Sequence, residues 1–492
     1  MKAEARHEES VDLAHTNSDE GKPYLADHVP FTPEEEKKLL RKIDLRLIPW
    51  LSFLYLLSFL DRANIGNARL QGLEKSLGLK DQQYLWALTI FFFPYAAAEP
   101  ACNILLKGLK PHVWFTAIIV AWAIVMTCMS AMTNYSGILA ARFFLGLTEA
   151  GLFPGVNYYL SCWYKRNELG LRMAVFFSAA TASGAFGGLL AAGIGKLDGK
   201  GGMKGWQWLF LLEGIATVFA GAASWWLIQD FPDTAKFLTE RERAQVIWRL
   251  QRDQQKSAAG EGFSVRSVLR AFFDVKVLLA CVIYIGCLGP LYAFSLFLPT
   301  IISTLGYSGT TAQLYSVAPY VVAAFGTICL GYIGDRFGYR SLLNMLSSTI
   351  AIIGFALLLG ERNKNIQYLG TFLGALGVYP TIPLTISLFS GNLEGSYKRG
   401  VAIGIFISAG NFQGAVSSNI FRAKDKPRYI LGHSVVIGYL CLVFFGSFAT
   451  FLYLRWEMAA RRAGKRNYRI EGKSQHEIDQ LGDLHPDFVY QY

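Results

Sequence analysis

Long apolar runs separated by short polar breaks fill the chain from about residue 43 to residue 455. The runs fall at residues 44–66, 85–107, 112–132, 135–160, 172–195 and 206–228, and again at 274–299, 312–334, 341–360, 367–388, 399–421 and 433–455. An apolar bilayer core about 30 Å thick takes roughly 20 helical residues to cross. The pattern therefore predicts an all-α membrane protein with about twelve transmembrane helices. Residues 229–273 divide them into two sixes and carry polar stretches such as Thr239-Glu240-Arg241-Glu242-Arg243 and Gln251-Arg252-Asp253-Gln254-Gln255-Lys256. The expected organisation is a tail at 1–42, a six-helix bundle at 43–228, a linker with short surface helices at 229–273, a second bundle at 274–455 and a tail at 456–492. Paired halves are common in secondary transporters, so the division favours transport.

Composition agrees. Hydrophobic residues make up 52% of the chain and charged residues only 17%, against about 25% in a soluble domain. Lys and Arg exceed Asp and Glu by 11. With both tails cytoplasmic, 28 of the Lys and Arg near the spans fall on that side and 12 on the other, as the positive-inside rule asks. The linker and tails carry this orientation, because the short loops alone run 9 against 12. These membrane-flanking charges suit anionic lipid headgroups in the bilayer and give no warrant for nucleic-acid binding. The first 40 residues hold no apolar segment resembling a secretory signal, so the first span is expected to serve as an uncleaved one. The cysteines at 102, 128, 162, 281, 287, 329 and 441 form neither a paired framework nor a metal-binding spacing, and buried thiol packing is expected. No nucleophile-base arrangement or phosphate loop stands out, so neither a cofactor nor an enzymatic reaction is expected.

The charges inside the spans carry the chemistry. Arg62 and Arg142 lie deep, and Lys276 stands at the start of the seventh span. A central arginine costs about 2.5–3.5 kcal/mol against lipid, so each should face protein or water. Glu149 follows Arg142 by seven residues, which brings the two within about 20° of one helical face. A guanidinium can grip a carboxylate in a bidentate fork, and a buried acid can exchange a proton. Arg62 is accordingly assigned to a substrate anion and Glu149 to a proton, with Asp61 and Arg142 as tuning partners. Ion pairs that only hold helices together are the competing reading. Glu99, beside Pro100, is expected near the cytoplasmic end as a structural or gating contact, and Glu213 at an interface near the external side, with a place in the proton path as the alternative for each. Asn64, Asn67, Asn157 and Asn411 are polar candidates for substrate or for helix packing. Asn411 stands out because Ser408-Ala409-Gly410-Asn411-Phe412-Gln413-Gly414 is a polar break placed opposite Arg62. Gly146, Gly151, Gly155, Gly184, Gly187 and Gly188 permit close helix approach, and Pro154 a kink.

Several motifs resemble a known family. Gly331-Tyr332-Ile333-Gly334-Asp335-Arg336-Phe337-Gly338-Tyr339-Arg340 matches most of the loop signature of the major facilitator superfamily, while the first-half counterpart from Asn103 to Lys110 lacks the expected acid. Tyr55 to Asn67, containing Asp61-Arg62-Ala63-Asn64, and Arg142 to Gly155 resemble the first and fourth spans of the fungal anion:cation symporters related to allantoate permease. His485-Pro486-Asp487-Phe488 resembles a tail of many fungal members, and Phe297 to Ser308 is similar to the nicotinic-acid-permease-like branch. The resemblance implies two six-helix bundles and proton-coupled uptake of a small organic anion, in particular a carboxylate such as a vitamin or nitrogenous nutrient. It also implies an anion contact at Arg62, proton coupling at Glu149 and Asp61, a charge partner at Arg142 and a second-half contact at Asn411. Asp335, Arg336 and Arg340 become gating residues, and plasma-membrane residence is expected. An organic-anion exporter or a nutrient sensor on the same fold are the alternatives.

Overall fold

The structure, a computed structural model, describes residues 30–253, 273–307, 309–360, 363–393, 396–474, 477–478 and 481–492. The expected tail before residue 30 and the linker between 254 and 272, with Gln254, Gln255 and Lys256, lie outside these residues.

Helix α1 runs from Pro33 to Leu70, well ahead of the apolar run. Its start is set by a capping box: the Thr32 hydroxyl accepts from the Glu35 amide at 3.3 Å and the Glu35 carboxylate accepts from the Thr32 amide at 2.9 Å. Pro33 then occupies a position where its missing N–H costs nothing. The first half continues through α2 (Asp81–Thr89), α3 (Phe92–Gly108), α4 (Pro111–Met129), α5 (Tyr135–Glu149), α6 (Leu152–Ser161), α7 (Arg166–Ile194) and α8 (Gly205–Leu227). Linker helix α9 (Glu240–Asp253) follows. The second half comprises α10 (Val275–Thr304), α11 (Gly309–Phe337), α12 (Arg340–Gly360), α13 (Lys364–Asn392), α14 (Ser396–Asn411), α15 (Gln413–Ser417) and α16 (Ile430–Arg462). Among the described residues, ten helical spans are long and apolar enough to cross a membrane. The two other predicted crossings are the broken pairs α2/α3 and α14/α15.

The breaks have local causes. Pro94 and Pro154 cannot donate to the carbonyls four residues earlier, and the chain leaves the helix at Ile90–Phe91 and at Ala150–Gly151. The predicted polar break in the eleventh crossing is a turn at Phe412. Large apolar side chains such as Phe219, Trp226 and Phe325 are exposed on the outside, where lipid would cover them. Lipid tails are as apolar as the core, so helix association depends on close packing. A Cβ on Gly146 would stand 2.1 Å from the Phe91 carbonyl oxygen, and one on Gly377 2.4 Å from the Ser347 oxygen. All seven cysteines are free; Cys287 is buried as expected, whereas Cys128 is exposed.

Within the first half α4 packs on α8 and α1 on α7; within the second, α12 packs on α13 and α16, and α10 on α16. The halves meet mainly along α7 and α11. They touch near both membrane faces. On the face carrying Thr32 and residues 481–492, the Leu171 amide donates to Asp335 Oδ2 at 2.5 Å. On the other face Gly66 abuts the Leu296 carbonyl and Gly188 the Gln313 carbonyl.

Two extramembrane segments brace the first of these faces. Helix α9 lies on the first half through Lys42–Glu242 at 2.7 Å, Arg249–Glu36 at 3.1 Å and an Arg249–Glu168 pair. Residues 481–492 fold back on the second half. Asp483 pairs with Lys276, and Arg461 donates to the Asp483, His485 and Phe488 carbonyls at 2.9, 2.9 and 2.8 Å. Gln491 and Asn392 exchange bonds of 2.8 and 2.6 Å.

Candidate functional site

Helix α1 delivers Ser58, Asp61 and Arg62 to the middle of the molecule, and all three are buried. Ser58 and Arg62 are one turn apart and share a face, whereas Asp61 points about 100° away from Arg62. That angle separates two groups of polar residues.

The first lies between the halves. Arg62 Nη2 donates to Glu149 Oε1 at 2.6 Å, and the Ser58 hydroxyl donates to the same oxygen at 2.5 Å. Arg62 Nη1 donates to the Tyr292 hydroxyl of α10 at 3.1 Å. That hydroxyl donates to Asn411 Oδ1 at 2.7 Å, and Asn411 Nδ2 donates to Glu99 Oε1 at 2.6 Å. The relay thus passes from α1 and α5 through α10 and α14 to α3, crossing between the halves twice. Aromatic rings wall it: the guanidinium carbon lies 4.6, 5.2 and 5.3 Å from the ring centres of Tyr95, Phe91 and Phe59, within cation–π range. Phe92 meets Tyr292 edge-on at 4.7 Å. Glu149 Oε2, Glu99 Oε2 and Arg62 Nε have no hydrogen-bond partner among the described residues. A buried pair of this kind is costly to leave half-satisfied, so the centre retains binding capacity.

The second group is enclosed in the first half. Asp61 Oδ2 accepts from Trp122 Nε1 at 3.1 Å and from the Thr217 hydroxyl at 3.3 Å. Glu213, one turn before Thr217, is also buried, and neither of its carboxylate oxygens is bonded among the described residues.

Several expectations need correction. Glu149 pairs with Arg62, not with Arg142. Sharing a face did bring Arg142 and Glu149 into line, but seven residues of helix set their backbones about 10 Å apart, and the facing α1 places Arg62 nearer. Arg142 instead donates from Nε to the Ala87 carbonyl at 3.3 Å and lies 4.8 Å from the Phe91 ring centre. Asp61 likewise has no bond to Arg62. Asn64 accepts from Asn67 at 3.3 Å and, with Ser183, Ser295 and Tyr320, lines a small cavity apart from the Arg62 relay. Asn157 bonds back to the Phe153 carbonyl. Glu99, expected near a membrane face, joins the centre through Asn411. Tyr292 and Ser58 are not marked in the sequence, because a tyrosine or serine within an apolar run gives no charge signal.

The proposed gate residues gather at the face carrying Thr32 and residues 481–492. Arg340 Nη2 pairs with Asp335 Oδ1 at 2.8 Å, and Arg340 Nη1 donates to Gln491 Oε1 at 2.7 Å. Arg336 is exposed.

Two helical halves closed around a buried, charged and partly unsatisfied polar centre define a membrane transporter. The family model of the Major Facilitator Superfamily matches residues 51–418. The MFS-type transporter cnsO of Penicillium expansum is 36% identical over 473 residues, covering 94% of this chain and 91% of that protein. The high-affinity nicotinic acid transporter of Saccharomyces cerevisiae is 32% identical over 482 residues, covering 98% and 88%. Among solved structures, the proton:xylose symporter XylE superposes with a TM-score of 0.63 at 14% identity, covering 82% of this chain and 95% of that one. The chain belongs to the Major Facilitator Superfamily, and it is a multi-pass membrane transporter rather than an enzyme.

Proposed function

We propose that the protein takes up a small organic anion, a carboxylate, together with a proton by alternating access, with residues 43–228 and 274–455 as the two rocking bodies. The Arg62–Glu149 pair between the halves carries this reading. Arg62 is the group that would grip an anion, and Glu149 occupies the same guanidinium edge, so the two acids compete for one base. A proton on Glu149 removes its charge and frees Nη2; the anion then docks on Arg62 beside Tyr292 and Asn411. Rocking opens one set of face contacts and closes the other. Loss of the anion and the proton restores the pair. Asp61 serves the proton path from inside the first half, Arg142 holds the site positive, Asn64 flanks the route, and Asp335, Arg336 and Arg340 form the gate. The nicotinic acid transporter among its relatives carries a carboxylate, which supports the substrate class, and a plasma-membrane location goes with nutrient uptake.

The test is uptake of labelled small carboxylates into sealed vesicles under an imposed pH difference, with wild type and Arg62→Gln measured together. The expected result is pH-driven uptake by wild type and its loss in correctly inserted Arg62→Gln. Undiminished uptake by that variant overturns the anion role.

A further inference from the structure

We infer that Glu99 is a specificity residue that selects anions carrying a hydrogen-bond donor at the end remote from the carboxylate; this rests on the proposed anion role of Arg62. Glu99 is 1% exposed, lies in an apolar span, and forms no ion pair with either deep arginine among the described residues. Its Oε1 is taken by Asn411 Nδ2, the Ser408 hydroxyl stands beside the carboxylate, and Oε2 has no hydrogen bond of ordinary geometry among the described residues. A buried carboxylate oxygen without a full hydrogen bond is costly unless a ligand completes it.

The relay also places this acceptor relative to Arg62. Tyr292 OH and the two ends of the Asn411 amide separate guanidinium from carboxylate, so both can face a single ligand lying along the Tyr292–Asn411 edge. The flanking surfaces are Tyr95 on α3, next to Glu99 in the helical turn, and Phe92, whose ring fills the space where a Cβ on Gly414 would come within 2.0 Å. Such walls favour a flat ligand body. A ligand with a carboxylate alone satisfies Arg62 and leaves Glu99 Oε2 stranded. One with a remote N–H or O–H satisfies both. A site built around a hydrogen bond discriminates strongly against analogues that lack the group.

The experiment measures binding of benzoate, 3-aminobenzoate and 4-aminobenzoate to the purified full-length carrier by competition, for wild type, Glu99→Gln and Arg62→Gln. Glutamine retains an acceptor for Asn411 Nδ2, so the relay stays intact while the anionic acceptor is lost. Wild type should prefer one of the aminobenzoates over benzoate by at least tenfold, and Glu99→Gln should cut that ratio to within about threefold, a loss of at least about 0.7 kcal/mol on a scale where a factor of ten is about 1.4 kcal/mol. A ratio unchanged in Glu99→Gln, an equal loss for every acid, or no preference or binding in wild type overturns the inference. If Arg62→Gln binds all three as wild type does, the anion site itself fails. Loss of binding in Arg62→Gln with the ratio retained in Glu99→Gln removes only the role of Glu99.

Discussion

Glu149→Gln separates coupling from binding. Glutamine keeps the size of the side chain and an oxygen for the Ser58 hydroxyl, and removes only the charge that faces Arg62 at 2.6 Å. At an effective dielectric constant of about 20, two unit charges at that distance attract by roughly 6 kcal/mol, much of it cancelled by desolvation. Breaking such a pair from one side costs about 3–5 kcal/mol, because the remaining charge stays buried. An incoming anion restores that partner. If it recovers even 1.5–3 kcal/mol or so, binding tightens by about one to two powers of ten. Coupling goes the other way, because Arg62 is now free whether or not a proton is bound. For one proton per monovalent anion, no net charge moves, and each pH unit supplies about 1.4 kcal/mol, a tenfold accumulation. Proteoliposomes loaded with buffer at one pH unit above the outside medium measure this directly. The variant should exchange labelled for unlabelled substrate and fail to accumulate it. Tenfold accumulation per pH unit in Glu149→Gln, or anion binding weaker than in wild type, would refute the competition between acid and substrate for Arg62.

Other outcomes follow from the packing and the ion pairs. Gly146→Ala drives a methyl into the Phe91 carbonyl oxygen, and since backbone cannot step aside the detergent-solubilised protein should lose about 1–3 kcal/mol of stability in thermal unfolding. Asp335→Ala removes both the Arg340 pair and the acceptor for the Leu171 amide; cysteines placed near residue 171 should become more reactive from the side carrying residues 481–492, and unaltered labelling would discount that contact as a latch. Arg461→Ala removes the donor that holds three tail carbonyls and the Tyr490 hydroxyl, so residues 481–492 should become protease-sensitive at a cost of about 3 kcal/mol of docking energy. Burial raises the affinity of Glu242 for protons, but bonds from Lys42 and Thr239 outweigh it and hold the carboxyl below its ordinary range. The stability this contributes is therefore present above the unfolded value and lost as pH falls through the lower folded one. Cleavage of α9 by an acid-tolerant protease should rise only in that acidic window.

What was legible in the chain was whatever follows from local periodicity. Apolar run lengths located the crossings, the rarity of charge singled out Arg62, Arg142 and Glu149, and Pro154 together with the Ser408–Gly414 stretch marked two of the breaks, while the one ahead of Pro94 went unread. The pairing of those charges was not legible, because it depends on which helices face each other. Residues aligned on one helix suggested Arg142 with Glu149; the reach of the Arg62 and Ser58 side chains from α1 to Glu149 settled the pairing instead. The same limit concealed Glu99, whose place in the centre requires α14 to approach α3, and Tyr292, whose role lies in one hydroxyl on an otherwise apolar face.

The folded-back tail has a practical consequence for anyone building reporters. Gln491 is wired to Arg340 and Asn392, and the Tyr492 ring rests against Phe451 with centres 5.9 Å apart. A fluorescent protein or purification handle joined after Tyr492 hangs its bulk on that clasp and tugs on the arginine behind it. A fusion there should be checked for altered flux before its signal is read as location.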